Sequence, residues 1–372
     1  MNSARSVKIG IIGAGGIANT HARHYRAHPW VDLVGVADID RERAVAFAKT
    51  WNIPDDRVFD NYHQMLETVD LEGVSVCTHN MAHRDPTIDS LAAGKHVLLE
   101  KPMAVLLDDA KAIMQAWEGS GKILMVGFQP HFSTQYKTAR QVVDSGALGE
   151  IYFAESVAFR RWGVPGGSFL MKEIAGAGTL VDIGCYSLYT TQSLMGDPRP
   201  VSVSCMTGNF LASRAQGEQQ WGRFRWRAED VQVEDFATAF VRFENGAVMV
   251  FKSCWAANAD SIGRPFFLGT KGGMALNPRG VEPSVEVYFN QHIGNLNVTV
   301  APQALPAVED WPEKIRAFAE AVRDDLPSPI DPRSVYLTNV VMDGMLRSAE
   351  LGFEVKVDSS YAELAPASLA RG

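Results

Sequence analysis

Cysteine is scarce: Cys77, Cys185, Cys205 and Cys254 are the only four, they lie far apart, and none forms a Cys-x-x-Cys pair. That spacing excludes a zinc finger or ribbon and a disulfide framework, and fits free thiols in a reducing compartment. Long apolar runs are missing as well, and none reaches the roughly eighteen residues that a membrane-spanning helix needs. Residues 7–12 already read as a strand, with no apolar segment and cleavage site ahead of them. No secretory leader is therefore expected, and a cytoplasmic location is. Positive charge is in deficit, with 35 Lys and Arg against 43 Asp and Glu, a formal net charge of −8. Such a surface repels nucleic-acid phosphates and anionic lipid, so neither nucleic acid nor a membrane is an expected partner. There is no low-complexity tract and no repeat at a solenoid period. What remains, 46% hydrophobic and 21% charged over 372 residues, is the composition of a folded globular protein of two domains.

The first part of the chain alternates short Val-, Ile- and Leu-rich runs at 7–12, 31–37, 73–77, 96–99 and 123–126 with helical patterns at 17–27, 41–51, 84–93 and 104–119. Strand–helix–strand units of this length imply right-handed crossovers and a parallel sheet covered on both faces. A doubly wound Rossmann domain over residues 1–127 is the expectation. The pattern then changes. Residues 151–161 alternate as a strand with one wet face, and 236–243 and 247–255 flank Glu244-Asn245-Gly246, a hairpin signal. A second hairpin is expected from 266–269 and 274–277 around Lys271-Gly272-Gly273, further strands at 284–289 and 295–300, and closing helices at 312–323 and 334–351. Residues 128–372 should thus form an α+β domain with a large, mostly antiparallel open sheet for substrate binding and oligomerisation.

Gly13-Ala14-Gly15-Gly16-Ile17-Ala18 follows the first strand directly and opens a helix. In that context Gly-x-Gly-x-x-Gly/Ala is a dinucleotide fingerprint. Gly13 permits the tight turn, Gly15 lets a pyrophosphate approach the backbone, and Ala18 lets the helix pack on the strand. Gly16 and Ile17 present the helix N-terminus, whose N–H groups and partial positive charge suit phosphate. Asp38 ends the second strand, where a carboxylate accepts from the adenosine ribose hydroxyls and repels a 2′-phosphate. This favours NAD. NADP stays open because Arg41 and Arg43 follow closely, and a guanidinium there suits a 2′-phosphate.

Glu100-Lys101-Pro102 follows the strand at 96–99, so Lys101 belongs at the carboxyl end of the sheet, on the nicotinamide side. Together, Gly13–Ala18 of the fingerprint, Val76-Cys77-Thr78, Ala93-Gly94-Lys95-His96-Val97 and Glu100-Lys101-Pro102 resemble the Gfo/Idh/MocA family of glucose–fructose oxidoreductase, inositol dehydrogenase and rhizopine-catabolism proteins. The likeness covers nearly the whole chain. The family's second signature, a Gly-rich turn and then a helix with an Asp and a His four residues on, corresponds to Gly176-Ala177-Gly178-Thr179-Leu180-Val181-Asp182-Ile183-Gly184-Cys185-Tyr186. Tyr186 stands where the commoner His would be. That departure recurs in the branch resembling glucose–fructose oxidoreductase and dihydrodiol dehydrogenases, where a tyrosine donates the proton. The resemblance also implies that Thr78, Asn80, His83, Glu100 and Gln129 lie about the cofactor.

The chemistry follows from the residues too. Oxidising a secondary alcohol needs a base as hydride leaves carbon. A free tyrosine, with a pKa of about 10, is a poor base at neutral pH, and a nearby ammonium lowers that value. Lys101 is the candidate ammonium, with Tyr186 as acid/base and Asp182 holding a substrate hydroxyl or orienting Lys101. Residues at i and i+4 share a helix face, so Asp182 and Tyr186 point the same way. Each has a plainer alternative: a surface lysine, a helix cap and a buried helix aromatic. Arg160-Arg161-Trp162 joins guanidinium donors to a flat ring, which suits a sugar's hydroxyls and C–H face, or else is a solvated strand end. Trp221, Arg225 and Trp226 lie in a polar stretch at 215–230 that reads as a loop, lid or arm.

The leading function is therefore an NAD(P)-dependent dehydrogenase or reductase for a sugar, polyol or glycoside, with no metal. Two other readings stand beside it: an NAD-dependent, redox-neutral glycosidase, and a non-catalytic, dinucleotide-responsive regulator. An open sheet with one uncovered apolar face implies a homodimer or homotetramer.

Overall fold

The computed structural model describes residues 5–222, 224–278, 280–290, 297–302 and 306–359. The chain forms two compact units. One runs to Phe132 and includes Val308–Val335, and the other takes Ser133–Ala307 and the segment from Tyr336. The boundary expected after residue 127 thus falls after residue 132, and the segment 308–335, expected in the second domain, belongs to the first.

The first unit holds six parallel strands: β1 (Val7–Ile12), β2 (Val31–Ala37), β3 (Val58–Phe59), β4 (Gly73–Val76), β5 (His96–Leu99) and β6 (Leu124–Val126). Their order is β3-β2-β1-β4-β5-β6, that of a doubly wound nucleotide-binding sheet. The crossovers are α1 (Gly16–Arg26), α2 (Arg41–Trp51), α3 (Tyr62–Thr68), α4 (Arg84–Ala92) and α5 (Leu107–Ser120). Val97, Leu98 and Leu99 on β5 are all buried, as a strand with helices on both faces requires. Polar caps mark helix starts: Asp40 accepts from the Arg43 N–H at α2, and Asn61 from the His63 N–H at α3. Helix α5 begins three residues later than periodicity suggests, because Ala104 and Val105 are buried in the turn after Pro102 while Asp108 and Asp109 occupy the helix's first turn. The short β3 and α3 carried no sequence signal of their own. The order reverses between β1 and β4, where ligands of such sheets bind at the strand carboxyl ends.

The second unit opens with α6 (Thr134–Asp144), capped by Ser133. It continues through β7 (Ile151–Phe159), α7 (Lys172–Ala175), a π-helical turn at Leu180–Gly184, α8 (Cys185–Leu194) and β8 (Pro200–Gly208). Then come β9 (Gln219–Trp221), β10 (Phe224–Trp226), β11 (Phe236–Phe243), β12 (Val248–Cys254), β13 (Phe266–Gly269), β14 (Gly273–Leu276), β15 (Val285–Asn290) and β16 (Asn297–Val300). The expected start of that last strand, residues 295 and 296, lies outside the described residues. Nine strands, with β17 (Val355–Lys356) at one edge, form a sheet of order β16-β15-β14-β13-β7-β12-β11-β8-β17, antiparallel except where β12 meets β7. The stretch at 215–230, read as a loop, contains the two-stranded hairpin β9–β10. Alternation puts Ala237, Ala239, Val241, Met249 and Phe251 into the core and leaves Phe153, Phe240, Val250 and Phe266 half-buried on the other face. Tyr136, Ala139 and Leu194 from α6 and α8 pack with Ala154, Phe267 and Met274 of the sheet.

The chain returns to the first unit as α9 (Asp310–Asp324), which packs on α1 and β1 and buries Ile315, Phe318 and Val322. Helix α10 (Pro332–Leu351) follows. Among the described residues no helix is long and apolar enough to cross a membrane.

The π-helical turn lies hard against β12 because Gly184 has no side chain. A Cβ there would stand 2.7 Å from the Phe251 ring and 3.1 Å from the Thr179 carbonyl oxygen. Gly184→Ala is expected to lose about 1–3 kcal/mol of stability as overpacking strain, read as a lower urea midpoint. An unchanged midpoint would show that the turn relaxes freely.

Candidate active site

The carboxyl ends of β1, β2, β4 and β5 carry the residues expected to bind the nucleotide. Gly13 adopts a φ of +88°, and a Cβ there would come within 2.9 Å of the Cys77 carbonyl and the Thr78 nitrogen, so only glycine fits the turn. Gly15 has nothing within 4 Å of where its Cβ would be. Helix α1 begins at Gly16 with no side-chain cap and no acidic residue in its first turn. Open backbone at an uncapped, uncompensated helix N-terminus fits a dinucleotide pyrophosphate. Gln129, in the turn Gln129–Phe132 after β6, has a buried Oε1 with no partner among the described residues, which also fits a missing ligand group.

Asp38 is buried and tied into the Gly-rich loop. Its carboxylate accepts from the Ala14 N–H at 2.7 Å and the Asp40 N–H at 2.9 Å. The Arg43 guanidinium lies 3.4 Å from Asp38 and 3.0 Å from Asp40. Arg43 is thus engaged by two carboxylates. Thr78 donates to the Ala82 carbonyl across the short turn that Asn80 begins.

Two residues expected among the cofactor contacts, His83 and Glu100, have their side chains turned into the protein. His83 is buried, and burial holds its imidazole below the ordinary value, so the ring is neutral. Its Nδ1 donates to the Pro102 carbonyl at 2.7 Å, and Nε2 lies 3.3 Å from the Thr78 carbonyl. His83 therefore braces the turn after β4 against the turn after β5. Glu100 is buried as well. Its Oε1 lies 2.6 Å from Lys314 Nζ and 2.7 Å from His21 Nε2, and its Oε2 accepts from the Lys101 N–H at 3.3 Å. Burial alone would raise this carboxyl, but the Lys314 charge and the His21 hydrogen bond hold it well below the usual carboxylate range. Burial and Lys314 bring His21 down to about 4. The neutral ring donates from Nε2 to Glu100 and faces the Cys77 Sγ with Nδ1 at 3.6 Å. Lys314 was not foreseen. Its one signal is that it falls on the apolar stripe of α9, four residues before Phe318 and three after Trp311, whose ring lies 4.0 Å from its Nζ. Lys101 itself is partly exposed.

In the second unit, Asp182 is buried within the π-helical turn, and Tyr186, half-buried, stands one turn on in α8. The expected α-helix around Asp182 is a π-helical turn instead, a form common at functional sites. Trp255 Nε1 donates to the Asp182 carboxylate at 3.0 Å, and Arg160 approaches it at 3.6 Å. Arg160 also donates to the Gly163 carbonyl at 3.1 Å and lies 4.5 Å over the Trp221 ring. The exposed Trp162 ring sits 6.1 Å from the buried Trp226. So Arg160 joins Asp182, while Arg161, expected beside it, pairs with Asp260 at the surface. Sequence reasoning missed Trp255 and two carboxylates. Glu234 accepts from the Gly178 and Leu180 N–H groups at the start of the π-helical turn, and burial pushes its carboxyl up. Asp235 accepts from the Phe210, Leu211 and Ala212 N–H groups at 2.9, 2.7 and 2.6 Å, fixing the loop after β8.

Comparison with known proteins agrees with these assignments of fold. Residues 7–128 match the oxidoreductase family with an NAD-binding Rossmann fold, and residues 136–275 match the GFO/IDH/MocA C-terminal domain. The chain is 30% identical over 356 residues to D-glucoside 3-dehydrogenase of Escherichia coli strain K12, covering 94% of this chain and 97% of that one. It is 25% identical over 338 residues to glucose-6-phosphate 3-dehydrogenase of Bacillus subtilis strain 168, covering 86% of each. Levoglucosan dehydrogenase in complex with NADH superposes with a TM-score of 0.78 at 21% identity, over 95% of this chain and 100% of that one, a likeness of fold.

His21 makes stability depend on pH. Its folded value of about 4 lies below its ordinary 6.5, so between the two the unfolded chain binds the extra proton. Its contribution is complete above the ordinary value and is lost as pH falls to the folded one, roughly 3 kcal/mol in all. The urea midpoint should fall through that window, and His21→Gln, which keeps an N–H donor for Glu100, should fall less steeply. Equal slopes would place the acid sensitivity elsewhere.

Proposed function

The chain belongs to the Gfo/Idh/MocA family of NAD-binding oxidoreductases, and from that premise we propose that it moves hydride between NAD and a secondary hydroxyl of a sugar, polyol or glycoside. The observation that carries this reading is the setting of Asp182. A buried carboxylate held by an indole N–H, approached by an arginine that lies over a second indole, and followed one turn later by a half-buried tyrosine, is a set suited to carbohydrate hydroxyls. Similarity to D-glucoside 3-dehydrogenase over nearly the whole chain supports the same substrate class.

Bound NAD supplies the hydride acceptor and, in reverse, the donor. Gly13, Gly15, Gly16 and Ile17 would hold its pyrophosphate at the N-terminus of α1, Asp38 its adenosine ribose, and Thr78, Asn80 and Gln129 its other half. The engagement of Arg43 by Asp38 and Asp40 supports NAD over NADP, because the guanidinium already has two anionic partners. Asp182, as a carboxylate, accepts a hydrogen bond from a substrate hydroxyl. Tyr186 takes the hydroxyl proton at its Oη, and the Lys101 ammonium stabilises the phenolate that makes this possible near neutral pH. Arg160, Trp162 and Trp221 bind the sugar ring. The half-buried Phe153, Phe240, Val250 and Phe266 form the face through which a homodimer or homotetramer would assemble.

The test is NADH formation by the purified protein across sugars, polyols and glycosides, with aglycone release followed alongside. Steady NADH formation is expected with one carbohydrate class. Lys101→Ala and Tyr186→Phe should each lower kcat roughly a hundred-fold or more while NAD still binds. Aglycone release without net NADH would replace the dehydrogenase with the redox-neutral glycosidase, and nucleotide binding with neither activity would leave the regulator.

A further inference from the structure

Glu100 and Lys101 are adjacent and oppositely charged at the end of β5, yet the Glu100 carboxylate is directed inward. The residue that draws it there comes from the far end of the chain. Helix α9 delivers Lys314 to a point where α1 contributes His21 and the end of β6 contributes Gly127. Gly127 leaves room for the approach, since a Cβ there would stand 2.9 Å from Glu100 Oε1 and 3.2 Å from Lys314 Nζ and would displace them. Both charged side chains are almost wholly buried, at 0% exposure for Lys314 and 6% for Glu100.

A buried ion pair stabilises a fold no better, as a rule, than apolar residues of the same volume. The pair therefore calls for an explanation beyond stability, and its position under the Lys101 turn offers one. We infer that Lys314 is a positioning residue that sequesters Glu100, so that this carboxylate does not pair with the neighbouring Lys101 ammonium and cancel the charge that the reaction uses. The inference rests on the reading of Lys101 as the group beside the reacting hydroxyl. The other ionisable groups in this part of the first unit include His21, His24 and Tyr25 on α1, Cys77 after β4, and His83 against Pro102. Burial holds the three histidines below their ordinary value and pushes Cys77 and Tyr25 up, so among the described residues Lys314 is the cation in direct contact with the buried Glu100 carboxylate.

Removing Lys314 has a consequence that loss of packing alone does not. In Lys314→Met the freed carboxylate turns to Lys101, the phenolate of Tyr186 loses support, and more alkaline solution is needed to form the base. The pH profile of kcat for alcohol oxidation should shift upward by about one unit, with kcat lowered about ten-fold below the shifted limb and KM changed less. Adding Glu100→Gln, which removes the competing charge, should return the profile to the wild-type position.

A second readout does not depend on turnover. Acylation of Lys101 by an amine-reactive reagent in the protein without nucleotide, followed by peptide mass spectrometry, should slow several-fold in Lys314→Met and recover in the double variant. A lowered activity with an unshifted profile and unchanged Lys101 labelling would overturn the inference and leave Lys314 as a packing residue. Should Lys314→Met not accumulate as folded protein, Gly127→Ala disturbs the same pair and must shift both readouts in the same direction for the inference to stand. If no carbohydrate is oxidised even by the wild-type protein, the proposed function fails, while the labelling comparison still decides the role of Lys314.

Discussion

The first unit is organised around one buried carboxylate. Glu100 sits where β5, β6, α1 and α9 converge, and desolvating it without partners would cost several kcal/mol. Lys314, His21 and the Lys101 N–H together satisfy it. The consequences reach outward from there. Helix α9 must return from the far end of the chain to supply Lys314, so the nucleotide-binding unit is discontinuous in sequence. A side chain at Gly127 would crowd the Glu100 and Lys314 head groups. The turn carrying Lys101 and Pro102 is held from one side by Glu100 and from the other by His83.

The second unit repeats the device with different chemistry. Its buried and half-buried carboxylates are satisfied mainly by backbone and indole N–H groups. Glu234 gathers the amides at the start of the π-helical turn, Asp235 gathers three amides of the loop after β8, and Asp182 receives the Trp255 indole. Hydrogen bonds to an ionised acceptor are among the stronger ones available to a protein. Here they fix irregular backbone that the nine-stranded sheet alone would not define. Preorganised acceptors and donors of this kind suit a polyhydroxylated ligand, whose groups exchange water for partners already held in place.

Local signals read well where they have a local cause. Strands β1, β2 and β5 fell where their apolar runs put them, since a parallel strand covered on both faces must be apolar along its length. The hairpin around Asn245-Gly246 followed from its turn chemistry. Strand β3 was too short to announce itself, and β8, with Ser202, Ser204 and Thr207 among its residues, lacks a clean apolar pattern. The hairpin β9–β10 is polar and aromatic in nearly equal measure, which periodicity cannot distinguish from a loop.

The sequence by itself determined the kind of protein this is: a Gly-rich turn between strand and helix, an acid just after the next strand, and a lysine just beyond the apolar run at 96–99 point to a dinucleotide-dependent site because each follows from spacing along one element. It also singled out Asp182 and Tyr186. Only the tertiary structure decided which of the neighbouring charges faces where. Glu100 turns to Lys314, two hundred and fourteen residues away, rather than toward the surface. Arg160 joins Asp182, while Arg161, the next residue, leaves for Asp260. The reason is physical: such choices depend on desolvation and on the register in which distant segments pack, and neither is a property of any local stretch of chain.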